Sequence, residues 1–126
     1  MSEQASQTNS PLEKRIGELF IHVSDMRQAV EWYSRLFDLP YNEDYVTGRL
    51  STIYSLNLDG TSILLDNNHG AAPGPNPLFF IRTADIRETR RFFEEIGVAI
   101  VKEDLDNRII IFQDPDGNRL MAIQMG

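Results

Sequence analysis

Three side chains carry most of the chemistry this chain offers: Glu18, His22 and Arg82. Glu18 and His22 lie in the run Glu18-Leu-Phe-Ile-His22, whose alternation reads as a strand. They share one strand face about 13 Å apart, too far to ligate one ion. Glu18 would act as a general base if apolar neighbours raised its pKa; the alternative is an ion pair with an arginine. His22 either contacts a ligand or bonds to a neighbour, because an inward polar group needs a partner. Arg82 suits a clamp on an anionic or carbonyl-bearing ligand. Its alternative is a salt bridge to Glu18 or Glu31. Tyr45 and Tyr54, on expected strands, offer rings that could stack on a ligand. His69 sits among glycines and prolines and reads as solvated.

Several mechanisms are excluded. With no cysteine, thiol catalysis, disulfides and Cys-based metal sites are absent, and a reducing, cytoplasmic setting is expected. Two histidines cannot supply a multi-His centre. There is no Gly-rich phosphate loop, no Gly-x-Ser-x-Gly elbow and no His-Glu-x-x-His helix. Nineteen acids against twelve bases give a net charge of −7. That opposes binding to nucleic acid or to an anionic membrane, and favours a cationic ligand over an anionic one. No apolar run approaches the ~20 residues of a membrane span.

The elements that must position these residues fit one domain of 126 residues, 41% apolar and 25% charged. Residues 1–15 read as a flexible polar tail and 16–126 as the folded part. Glu18–Ser24 is expected as a strand with Leu19, Ile21 and Val23 on one face. Asp25 caps a helix, with Gln28 in a capping-box position, and Met26, Val30, Tyr33 and Phe37 form its buried stripe. Strands follow over Tyr41–Thr47, Leu50–Leu58 and Thr61–Asp66, the last two joined by an Asp59-Gly60 turn. After a linker over residues 68–75, the pattern restarts. Leu78–Ala84 is a strand, Asp85 caps a helix with Glu88 completing its box, and Gly97 ends it. Val98–Lys102, Arg108–Gln113 and Arg119–Gln124 are strands. The Asp114-Pro-Asp-Gly117 turn reads as structural, since its residue types supply turn geometry.

This is an internal repeat. Setting Asp25 on Asp85 also pairs Phe20 with Phe80, Ile21 with Ile81 and Arg27 with Arg87. The fold class expected is α+β: two βαβββ modules, residues 16–67 and 76–125, forming a curved mixed sheet around a cavity. Each helix covers the outside of its half.

The segment "VSDMRQAVEWYSRLFDL", Val23 to Leu39, resembles the opening signature of the glyoxalase/bleomycin-resistance/extradiol-dioxygenase superfamily, the vicinal oxygen chelate proteins. "FQDPDGNRLMAI", Phe112 to Ile123, resembles its closing signature. Asp38 replaces the usual helix-ending Gly, and Asp tolerates left-handed dihedrals better than most residues. In metal-dependent members, the resemblance implies, four side chains hold a divalent ion. Those positions carry over to Glu18, Leu64, Leu78 and Met121 in this chain. Leu offers no donor, and a Met thioether is soft. No metal or other cofactor is therefore expected, with a weak site at Glu18 and Asp66 left open.

The function expected is metal-independent binding of a small organic molecule, a cationic drug or metabolite among the candidates. The cavity residues would be Phe20, Tyr54, Leu64, Leu78, Phe80 and Met121, with Glu18, His22 and Arg82 as polar groups, a usual pocket composition. The alternative is a lyase, isomerase or dioxygenase with replaced metal ligands, or metal-free acid–base catalysis by Glu18 and His22. Single-chain members of the family often pair, so a homodimer is left open.

Overall fold

Alternation along the first strand decides what this fold buries. In the computed structural model, which describes residues 9–41 and 52–126, β1 (Leu19–His22) buries Ile21 and exposes Phe20 and His22. The elements then run α1 (Met26–Leu36), β2 (Ile53–Leu58), β3 (Thr61–Asp66), β4 (Phe80–Thr83), α2 (Ile86–Ile96), β5 (Ala99–Asp104), β6 (Ile109–Gln113) and β7 (Arg119–Gln124). Most of the strand expected over Tyr41–Thr47, with Tyr45, lies outside the described residues, as does Leu50.

The strands form two mixed sheets, ordered β1-β3-β2 and β4-β7-β6-β5. The first strand of each half pairs in parallel with the last: Phe20 stands opposite Leu64, and Phe80 opposite Met121. The other pairings are antiparallel, with an irregularity between Ile100 and Lys102 on β5. Among the described residues, the expected α+β repeat is present as two hydrogen-bonded sheets and two helices, with no closed barrel.

Both helices start and stop on local chemistry. The Asp25 carboxylate accepts from the Gln28 amide, and that of Asp85 from the amides of Arg87 and Glu88. These bonds satisfy donors that a helix start leaves free. The Glu88 side chain does not return to Asp85 as a capping box would; it pairs with Arg91 one turn on. At the other end, Leu39 N–H donates to Ser34 O and Asp38 N–H to Arg35 O; Val98 to Phe93 and Gly97 to Glu94 repeat the pattern. This double bond requires a left-handed residue, supplied by Asp38 (φ 52°) and Gly97 (φ 76°).

One core serves both halves. Ile21, Val30, Tyr33, Ile63 and Leu65 from the first and Ile110, Phe112 and Leu120 from the second are fully buried. Phe112 joins the halves: its ring lies 4.5 Å from Phe93 of α2 and 6.4 Å from Trp32 of α1, between centroids. The Asp114–Asn118 turn adds a polar clasp. Buried Asp114 accepts from the Tyr33 hydroxyl, the Asn118 side chain and the amides of Asp116 and Asn118. Asn118 Nδ2 also donates to His22 O at 3.0 Å, and Ser24 bonds Asp116. Burial first, then the charge of Asp114, pushes the Tyr33 phenol far above its ordinary pKa. The expectation that this turn is structural holds. Among the described residues, no helix is long and apolar enough to cross a membrane.

Candidate functional site

The face of each sheet turned away from its helix carries the residues singled out from sequence. On the first sheet, Leu64 lies between Phe20 of β1 and Ser55 of β2. Glu18 reaches across this row, and its Oε2 accepts from Ser55 Oγ at 2.8 Å. On the second sheet, Met121 lies between Phe80 of β4 and Ile111 of β6. Arg82 follows, opposite Ile123. Four large apolar side chains on these faces are open to solvent: Phe20 (58%), Leu78 (52%), Phe80 (46%) and Ile53 (45%). Apolar surface left uncovered in this concentration marks an interaction site.

β1 and β4 are each the edge strand of their sheet, and their residues share cavities. Phe20, His22 and Leu78 line one of about 240 Å³ with His69 and Asn118. The His22 and His69 rings meet edge to face, their centroids 5.7 Å apart. His69, expected as merely solvated, thus stands against a candidate residue. Phe80 and Arg82 border a second, larger cleft with Leu19 and Phe79.

Three placements depart from the sequence reading. Tyr54 stands opposite Leu65, so it shares the helix side and packs on the core; it is not on the face of Leu64. The expected salt bridges of Arg82 are not made: Glu18 bonds Ser55, and Glu31 pairs with Arg27 at 3.3 Å. Ser55 was missed, although the Asp-Gly turn sets Leu58 opposite Thr61 and hence Ser55 opposite Leu64.

The donor set does not fit a divalent ion. Of the four positions implied by the resemblance, only Glu18 has a hard donor. Asp66 is held elsewhere: its Oδ1 accepts from Asn68 N at 2.7 Å and Asn68 Nδ2 at 2.9 Å. Those bonds, the backbone one foremost, hold its carboxyl below the usual range, with His69 and His22 adding to the effect. Among the described residues, no group of three or more His, Cys, Asp or Glu side chains could hold a metal ion.

Comparison with known proteins agrees with this fold. The family model described as Glyoxalase/Bleomycin resistance protein/Dioxygenase superfamily matches residues 15–122, and the chain belongs to that superfamily. Among solved structures, TnmS3, an antibiotic binding protein from Streptomyces sp. CB03234, is 22% identical, with 94% of this chain and 100% of that one covered and a TM-score of 0.68. Lactoylglutathione lyase from Agrobacterium tumefaciens is 17% identical, with 91% and 96% covered and a TM-score of 0.66. A superfamily member from Sphaerobacter thermophilus is 22% identical, with 90% and 98% covered and a TM-score of 0.67. No curated protein matches the chain.

Proposed function

We propose that the protein binds a small organic molecule on the apolar sheet faces, without a metal. One observation carries this reading: Leu64, Leu78 and Met121 stand where the resemblance would require donors, amid exposed Phe20, Phe80 and Ile53. An apolar surface with few polar groups fits a ligand better than an ion. TnmS3 is described as an antibiotic binding protein, so the same fold serves such a role elsewhere. The net charge of −7 favours a cationic ligand over an anionic one among small molecules. We infer a cytoplasmic setting from a chain without cysteine.

Titration calorimetry with a cationic triarylmethane dye and with neutral 1-naphthol tests the reading. Saturable binding that survives chelator and is lost in Phe20→Ser supports it. A dialysis-resistant ion at one per chain, found by elemental analysis after chelator-free purification, would overturn it in favour of the enzymatic alternative.

A further inference from the structure

The two ends of the seam between the halves are built differently. At one end, the five-residue turn Asp114–Asn118 folds onto α1 and is bonded to Tyr33 and to His22 O. At the repeat-related end, the turn between β2 and β3 has two residues, Asp59 and Gly60. The residue related to Tyr33 is Phe93, which has no hydroxyl to bond. With a shorter turn and no such partner among the described residues, those residues leave this end open. A cleft of about 620 Å³ occupies it.

Its walls are mainly apolar, with Leu19, Phe37, Leu39, Ile63, Phe79 and Ile81 lining it beside polar Asn57 and Thr61. None of Glu18, Leu64, Leu78 or Met121 does, so the cleft is separate from the position a family metal would take. At its border stands Arg82. Seven of the nine described arginines bond an acidic side chain or a backbone carbonyl. Among the described residues, Arg82 makes no such bond, and nor does Arg35, which lies on the exposed side of α1.

We propose that this cleft is a binding site for a monocarboxylate with an apolar tail or ring, its head group on Arg82. An unpaired guanidinium beside an apolar trough offers two parallel N–H donors to a planar carboxylate. Asp59, also on the lining, sets the limit on charge. It repels a dianionic phosphate more strongly than a monocarboxylate, and it weakens even the latter. Anion binding here runs against the chain's overall charge, so local geometry must supply the selectivity.

Calorimetry with decanoate, decanol and decyltrimethylammonium tests this site, together with amide chemical-shift mapping by NMR. Decanoate should bind saturably and more tightly than the other two, shifting amides around Leu19, Leu39 and Arg82. Arg82→Gln should weaken decanoate on the order of tenfold and leave decanol unchanged. Asp59→Asn should tighten decanoate, which keeps the test sound if Arg82→Gln folds poorly. No saturable decanoate binding, equal affinity in Arg82→Gln, or shifts confined to Phe20, Leu64 and Met121 would overturn the proposal. Phe80 borders both sites, but Phe20 does not line the cleft, so the dye and naphthol titrations of Phe20→Ser separate the two readings.

Discussion

Tyr33 and Asp114 meet in the seam between the halves: the phenol donates to Asp114 Oδ2 at 2.6 Å across 81 positions of sequence. The bond ties α1 to the last hairpin, and both residues are buried. Their variants report on how the halves are held together.

Tyr33→Phe should cost about 1.5–3 kcal/mol, the range for a hydrogen bond to a charged group. Asp114→Ala should cost more, because it strands four donors, whereas Tyr33→Phe removes one donor from a carboxylate that keeps three. Urea denaturation measures both. The pH dependence follows from the raised phenol pKa. The native protein keeps the Tyr33 proton where the unfolded chain, near the ordinary tyrosine value, releases it. Stability from this group is therefore full below that value and falls above it, by about 1.4 kcal/mol per pH unit. Tyr33→Phe should remove that part of the alkaline slope. An unchanged slope would contradict the burial argument.

The two helix ends make a matched pair for a second measurement. Gly97→Ala places a Cβ at φ 76°, and should cost about 1 kcal/mol. Asp38→Gly relieves a side chain at φ 52° and should leave thermal stability equal or higher. A cost for Asp38→Gly as large as that for Gly97→Ala would mean the Asp38 side chain has a role of its own.

Much of this fold was legible because its signals are local. A cap needs only Asp25 or Asp85 ahead of a helical stripe, and a two-residue Asp-Gly turn fixes which side chains face each other. That turn already implies that Tyr54 lies with Leu65, a step the alternation of β2 alone did not reveal. The partners of Glu18 and Asp114 were not legible. Each depends on which side chain another segment brings within about 3 Å, and a strand's period carries no such information. His69 was hidden for the same reason, since the path of the linker places it beside His22.

Asp66 gives a prediction in acid. Its carboxyl is lowered chiefly by the Asn68 backbone amide, with the Asn68 side chain assisting. A lowered carboxyl stabilises the fold above its ordinary value, and that contribution is lost as pH falls through the native pKa. Asn68→Ala removes the side-chain donor and keeps the amide. The Asp66 midpoint, followed by NMR of its carboxyl carbon, should rise part of the way toward an ordinary aspartate. A full return would show that the amide bond contributes nothing.

Phe20 and Ile21 are neighbours on β1 with opposite surroundings, and they separate folding from binding. Ile21 is wholly buried in the shared core, whereas Phe20 projects from the opposite face of the strand. Ile21→Ala opens a cavity in the shared core and should cost about 2–5 kcal/mol in urea denaturation. Phe20→Ala removes a ring already largely in water, so stability should change by about 0.5 kcal/mol or less. The order reverses for ligand: dye binding should fall sharply in Phe20→Ala, and persist in Ile21→Ala at temperatures where that variant is folded. If Phe20→Ala instead destabilised the protein as much as Ile21→Ala, the ring would be a packing element. The apolar face would then lose its claim as the binding surface.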